Sequence, residues 1–192
     1  GAAFENGAQP SDSLLDQALE IPLGNGAFWR PSDGGGPSGQ PMTLREGLAQ
    51  SKNTITAQVM QQVGPTHVAQ LARAMGVRQS KLDEVLSLAL GTSPVTLKEM
   101  VSSYSTLANE GQYIAPVMVL QVEDRQGGVL EVLAPKGPET ALPVAVAHTL
   151  LDVMRGVIDR GTGQAIRSRY GISADVAGKT GTTQDNTDGW FI

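Results

Sequence analysis

Along this chain the apolar positions recur first at helical spacing and later with the alternation of strands. Ala2-Ala3-Phe4-Glu5-Asn6-Gly7 reads as the last turn of a helix closed by a glycine, with no start signal before it. A long polar stretch, Asp12 to Pro41, comes next. Its Gly24-Asn25-Gly26 and Asp33-Gly34-Gly35-Gly36-Pro37 favour loops, because glycine accepts positive φ and proline fixes φ. A connection this long inside a compact domain is usually functional or packed across a surface.

A series of helices follows, each with its own punctuation. Thr43-Leu44-Arg45-Glu46 predicts a capping box, in which the hydroxyl accepts from the third amide and the glutamate reaches back. Leu44 and Leu48 share a face; the pattern stutters at Ser51-Lys52-Asn53, then resumes with Ile55, Val59 and Val63 up to Gly64-Pro65. Further helices are predicted over Thr66 to Met75 and Ser80 to Leu90, stopped by Gly76 and Gly91. Thr96-Leu97-Lys98-Glu99 predicts a second capping box, with Met100, Val101, Tyr104 and Leu107 facing inward and Gly111 as the stop.

Tyr113 to Val122 and Val129 to Leu133 are β-rich runs around a polar turn, hence a hairpin-like pair. Pro143 starts a helix carrying Val144, Ala147, Leu151, Met154 and Ile158, which leads into Gly161-Thr162-Gly163. Asp175 to Thr182 and Thr187 to Ile192 predict two neighbouring strands joined by a polar turn. The fold class is therefore mixed α/β (α+β), a helix-rich body followed by part of an antiparallel sheet. The opening helix end and the apolar close on Trp190-Phe191-Ile192 lead us to expect a segment of a larger protein.

Composition narrows the function. With 40% hydrophobic and 17% charged residues, the 192-residue chain has the makings of a folded domain. A net charge of −5 argues against nucleic acid, which needs a basic face. No stretch matches the ~20 apolar residues of a membrane span. The lack of cysteine excludes thiol catalysis, disulfides and Cys-based zinc. His67 and His148 lie in separate helical patterns with no carboxylate at ligand spacing, so no metal or cofactor is expected. Tyr104 and Trp190 read as core or cleft wall.

Two short segments carry chemistry. Lys179-Thr180-Gly181-Thr182-Thr183 places a cation, three hydroxyls and a side-chain-free residue on one strand. Alternation puts Lys179, Gly181 and Thr183 on one face, with Thr180 and Thr182 on the other. Gly181 lets a ligand backbone approach closely, which suits strand addition by a peptide with a terminal carboxylate. The same residues also fit a plain edge strand with one solvated lysine. Ser51-Lys52-Asn53 offers a hydroxyl able to relay a proton and an amide able to donate and accept, or is simply a polar break between helices.

In this order the two segments resemble the second and third motifs of the penicillin-binding proteins and serine β-lactamases, S-x-N and K-T-G. Met42-Thr43-Leu44-Arg45-Glu46-Gly47-Leu48-Ala49, Ala89-Leu90-Gly91-Thr92-Ser93-Pro94-Val95-Thr96 and Leu107-Ala108-Asn109-Glu110-Gly111 extend the likeness. So do Gly161-Thr162-Gly163, Ala177 to Thr183, and Asp188-Gly189-Trp190-Phe191. Together they resemble the transpeptidase domain of the bifunctional, class A penicillin-binding proteins over nearly the whole chain.

The resemblance implies acyl transfer on peptidoglycan stem peptides: a serine attacks D-alanyl-D-alanine, D-alanine leaves, and a neighbouring amine resolves the acyl-enzyme into a cross-link. β-Lactams are the implied inhibitors. By that analogy Ser51 shuttles a proton between a catalytic lysine and the leaving amine, Asn53 holds the substrate's side-chain amide, and Lys179 supplies positive potential. Thr180 and Thr182 hold the carboxylate on the K-T-G strand with Gly181 and Thr183, and the Thr182 N–H forms half of the oxyanion hole. The resemblance gives Lys52 no role.

The first motif, S-x-x-K, does not occur before Ser51; Ser11, Ser13, Ser32 and Ser38 are followed three residues on by Leu14, Asp16, Gly35 and Pro41. The nucleophile is therefore expected just upstream of Gly1, the remaining strands and helix after Trp190, and residues 1–192 are expected to form a partial domain that is inactive alone. The resemblance also implies an upstream glycosyltransferase and a periplasmic location, with anchorage by a segment outside the chain. A phosphate-binding loop is a poor fit, since that pattern wants glycine where Ser173 stands and no helix signal follows. A β-lactamase or DD-carboxypeptidase shares the motif order, with water in place of the amine. A sensor domain of the same fold is the non-enzymatic rival.

Overall fold

The computed structural model describes residues 1–24, 26–134, 136–183 and 189–192. The polar turn expected before Gly189, including Asp188, and Asn25 of the first loop lie outside the described residues. Helix α1 (Ala2–Glu5) ends as predicted: Gly7 takes φ +90°, and the amides of Gly7 and Ala8 donate back to Phe4 and Ala3. The long stretch after it carries short strands β1 (Ser13–Leu15), β2 (Ile21–Pro22) and β3 (Phe28–Trp29), and closes on β4 (Pro41–Thr43). Strand β1 pairs antiparallel with β4, and β2 with β3, so the stretch is packed rather than loose.

Helices α2 (Leu44–Ala49), α3 (Asn53–Val63) and α4 (Pro65–Ala74) follow, with the break at Ser51-Lys52 where the stutter predicted it. Thr43 accepts from the Glu46 amide at 3.2 Å, but the reciprocal half of that capping box is not made. Glu46 turns instead to Gln50 and Arg160.

The helix expected over Ser80 to Leu90 is only a 3-10 turn at Leu86–Leu90, because the preceding amides bond side chains. Gln79 and Ser80 donate to Glu99, and Asp83 to Ser93. Helix α5 (Leu97–Ala108) opens on a complete capping box between Thr96 and Glu99. Its inner face is only partly the one predicted: Leu107 is buried and Tyr104 packs on the core, but Val101 is exposed, and Glu99, Ser102, Ser103 and Thr106 are buried instead. The chain at Gly76 comes so close that an added Cβ would sit 2.9 Å from both Ser102 Cβ and the Tyr113 ring, so on α5 a small side chain faces it.

The run Tyr113 to Val122 is not one strand. Strand β5 (Gln112–Tyr113) ends before Pro116, which cannot donate to a ladder, and pairing restarts in β6 (Gln121–Glu123) and β7 (Val129–Val132), a hairpin with a bulge. Asp124 Oδ1 closes its turn by accepting from Gln126 and Gly128. Strand β8 (Glu139–Thr140) pairs with β5. Helix α6 (Val144–Asp159), capped by Pro143, buries Ala147, Met154 and Ile158, and α7 (Ala165–Ser168) is a single turn.

The last pair, β9 (Thr180–Thr182) and β10 (Gly189–Phe191), is antiparallel and shorter than predicted. Asp175, the expected start, is held by Arg155 at 2.8 and 2.6 Å. The main core gathers Ala2, Leu71, Leu107, Leu142 and Met154, with Leu48, Tyr104 and Ala177 against it. Truncating a fully buried residue such as Ile158 or Met60 to alanine is expected to cost about 2–5 kcal/mol. Among the described residues no helix is long and apolar enough to cross a membrane.

Candidate active site

The two chemical segments meet in space. Ser51 sits between α2 and α3 with φ +56°, a left-handed conformation that lets the chain reverse between the helices. Lys179, one residue before β9, donates from Nζ to Ser51 Oγ at 2.7 Å and to the Thr180 carbonyl at 2.9 Å. Burial pushes the Lys179 ammonium below its usual pKa. Because Ser51 Oγ accepts from that cation, its own hydrogen is left to donate elsewhere. A hydroxyl so placed can pass a proton on.

The geometry of β9 bears directly on what it can bind. Lys179 and Ile192 exchange both backbone hydrogen bonds, at 2.8 and 3.2 Å. An antiparallel ladder alternates, and Thr180 is paired with Phe191 and Thr182 with Gly189. The backbone groups of Thr180 and Thr182 therefore point away from β10. On that side β9 has no strand partner among the described residues. Gly181 and Thr182 are exposed there, while Gly178 is buried, with room for no side chain: an added Cβ would lie 2.6 Å from the Ile192 carbonyl.

The side chains of Lys179 and Thr180 find different partners. Lys179 reaches Ser51, and Thr180 reaches Thr162, the two hydroxyls sharing a hydrogen bond of 2.6 Å. One of the two hydroxyl hydrogens is used between them, so one remains for an acceptor. Thr162 is the residue that sequence reasoning left without a role, although Gly161-Thr162-Gly163 was visible. Gly161 packs against the Ala49 carbonyl, which accepts from the Thr162 amide at 3.1 Å, and this brings the segment to β9.

Asn53 opens α3. Its backbone N–H donates to Asp33 Oδ1 at 2.6 Å, and its Nδ2 donates to the Ser32 carbonyl at 2.7 Å. A carbonyl can only accept, so the amide orientation is fixed, leaving Oδ1 and one N–H for a ligand. Lys52, between Ser51 and Asn53, also reaches the long loop: Nζ lies 3.2 Å from Asp16 Oδ2 and donates to the Gly36 carbonyl at 3.0 Å.

Among the described residues no group of three or more metal-ligating side chains occurs. His67 faces Glu5 at 3.2 Å and His148 faces Glu110 at 3.7 Å, both away from β9. Tyr104 packs on the core, and Trp190 is half-exposed on β10.

A helical body carrying an S-x-N turn against a K-T-G strand with an open edge defines a penicillin-binding type of domain. The profile of the penicillin binding protein transpeptidase domain matches residues 1–192, and the chain belongs to that family. It is 32% identical over 199 residues to penicillin-binding protein 1A of Neisseria meningitidis serogroup A, matching 100% of this chain and 24% of the relative. The chain thus spans about a quarter of the length of such curated relatives. Penicillin-binding protein 1A of Haemophilus influenzae has the same fold, with a TM-score of 0.88 at 25% identity over 99% of this chain and 34% of that one. The PonA1 protein of Mycobacterium tuberculosis in complex with penicillin V gives 0.78 at 26% identity, over 98% and 52%. The class A resemblance and the mixed α/β class are both borne out.

Proposed function

We propose that this chain forms the substrate-binding side of a serine D,D-transpeptidase that cross-links peptidoglycan stem peptides and is acylated by β-lactams. The observation that carries this reading is the 2.7 Å bond from Lys179 Nζ to Ser51 Oγ beside the open edge of β9. It joins a proton relay to a peptide-binding strand.

A donor peptide ending in D-alanyl-D-alanine adds to the free edge of β9. Its carboxylate takes hydrogen bonds from Thr180 and Thr182, supported by Thr162 and by the charge on Lys179. Gly181 leaves room for its backbone, and Thr183 follows directly after β9. The Thr182 N–H, directed away from β10, supplies one oxyanion donor. Asn53 holds the amide upstream of the scissile bond with its free Oδ1 and N–H.

The nucleophile is a serine of an S-x-x-K motif outside residues 1–192. It attacks the carbonyl, its proton passing to that motif's lysine. Ser51 relays a proton to the departing D-alanine nitrogen, and an ester to the enzyme replaces the amide. An acceptor amine then forms the new amide and restores the serine. No cofactor or metal enters these steps. Peptidoglycan lies outside the cytoplasmic membrane, so the domain works on that face, held by a segment outside these residues. The complex of PonA1 with penicillin V supports the β-lactam part of this reading.

The test is labelling with a fluorescent penicillin. In the intact protein the label is expected on a serine outside residues 1–192, and Lys179→Ala should slow acylation by roughly a hundredfold or more. The isolated chain should not label. Stable labelling of the chain at one of its own serines would overturn the assignment of the nucleophile. Rapid hydrolysis of penicillin by the intact protein would make it a β-lactamase instead.

A further inference from the structure

The buried ion pair beside the S-x-N turn has no part in the chemistry above. Asp16 is fully buried in the long loop after α1, yet it is densely bonded. Its Oδ1 accepts from Thr54 Oγ1 at 2.6 Å, and its Oδ2 accepts from the Ser38 amide at 2.8 Å. Lys52 Nζ lies 3.2 Å from the same Oδ2, and the Lys52 side chain is only 17% exposed. Burial alone would raise the Asp16 pKa, but the bonds from Thr54, Ser38 and Lys52 hold it far below the usual carboxylate range.

A second carboxylate stands next to it. Asp33 Oδ1 accepts from the Asn53 amide, whereas its Oδ2 is buried without a hydrogen-bond partner and lies 3.9 Å from Lys52 Nζ. A buried carboxylate oxygen without a donor is costly unless a cation faces it. Lys52 is that cation, and it serves Asp16 and Asp33 together. Ser32, whose carbonyl orients the Asn53 amide, adjoins Asp33 in the chain.

We infer that Lys52 is a positioning residue: by clamping Asp16 and Asp33 it holds residues 31–39 against the start of α3, and so fixes the orientation of Asn53. This rests on the role proposed above for Asn53 as the group that meets the substrate's side-chain amide. The middle residue of the S-x-N turn thereby acts on the ligand through the loop, with no contact of its own. Lys52→Met removes the charge at similar volume. Lys52→Gln also removes it but keeps a donor for the Gly36 carbonyl, and Lys52→Arg keeps the charge.

The experiment uses the intact protein carrying this chain and two acylating agents. One is a penicillin with an acylamino side chain; the other is the bare penicillin nucleus, which has the carboxylate but no side-chain amide. Lys52→Met and Lys52→Gln are expected to slow acylation by the first by roughly ten- to a hundredfold and by the second far less, with Lys52→Arg restoring most of the loss. Hydrogen exchange should quicken about tenfold at the Asn53 and Ser38 amides and stay unchanged in α5. An equal loss with both agents, or unchanged exchange at Asn53, overturns the inference. If Lys52→Met does not fold, Lys52→Gln decides. A wild-type protein that takes up no penicillin at all breaks the proposed function, and with it the link to the ligand. The exchange measurement would still decide whether Lys52 clamps the loop.

Discussion

Two buried carboxylates, Asp16 and Glu99, are held in different ways. Glu99 is 2% exposed and satisfied by neutral donors alone: the amides of Gln79, Ser80 and Thr96 and the hydroxyls of Ser80 and Thr96. The side-chain and backbone bonds from Ser80 outweigh its burial and keep its pKa well below the ordinary carboxylate value. Asp16 takes fewer neutral bonds, from the Thr54 hydroxyl and the Ser38 amide, and has a lysine as well. A buried carboxylate evidently does not need a cation to stay ionised, provided that donors converge on it. The cation at Asp16 also faces Asp33, and it belongs to the turn that bears Ser51 and Asn53. Near α5 a carboxylate ties a loop to a helix; near α3 the same device also sets a site.

The largest expected effect follows from breaking the charged cluster. Asp16→Ala leaves Lys52 facing Asp33 alone and frees the Thr54 hydroxyl. It should cost about 3–5 kcal/mol in calorimetry of the intact protein and slow penicillin acylation as well. Glu99→Ala should cost about 3 kcal/mol by the same measurement while leaving the acylation rate of the folded protein near wild type, since its donors lie away from β9. If both variants slowed acylation alike, the distinction between the two carboxylates would be lost.

Gly161→Ala comes next. The new Cβ would meet the Ala49 carbonyl, a backbone atom that cannot swing aside, so the segment must shift and carry Thr162 away from Thr180. Destabilisation of about 1–3 kcal/mol is expected, with a weaker hold on the ligand carboxylate seen as a higher KM for penicillin.

Acid should reveal both carboxylates together. Each has its folded-state pKa lowered from an ordinary value, 3.8 for Asp16 and 4.5 for Glu99. Their contribution is therefore full above those values and is lost as pH falls below them. The Tm should drop steeply below about pH 4, and a variant carrying Asp16→Asn with Glu99→Gln should start lower but show a flatter acid limb. The smallest effect is expected in the β6–β7 hairpin, whose residues are exposed on both faces. There Leu130→Ser should change stability by no more than about 0.5 kcal/mol.

The local signals were faithful where one short segment decides the outcome. The glycine stop at Gly7, the capping box at Thr96, the break at Ser51-Lys52-Asn53 and the pairing of the last two strands all stand in the structure. Periodicity misled where distant groups claimed the backbone. The amides of Gln79 and Ser80 bond Glu99, so the helix expected from Ser80 shrinks to a 3-10 turn. Val101 is exposed, while its neighbour Ser102 packs close against Gly76. At Thr43 the capping box is half made, since Glu46 bonds Gln50 and Arg160 instead.

The sequence by itself determined the helix-rich body, the placement of both motifs and, through their order, the family. These follow from turn chemistry and side-chain spacing, which act over a few residues. Only the tertiary structure decided that Lys179 donates to Ser51, that Thr162 joins Thr180, and that Lys52 faces two carboxylates of a loop some way back in the chain. It alone showed that the Thr182 N–H faces the free edge of β9, because the pairing register with β10 fixes which backbone groups are spent. Such facts depend on contacts between segments far apart in the chain, and spacing along one segment carries no trace of them.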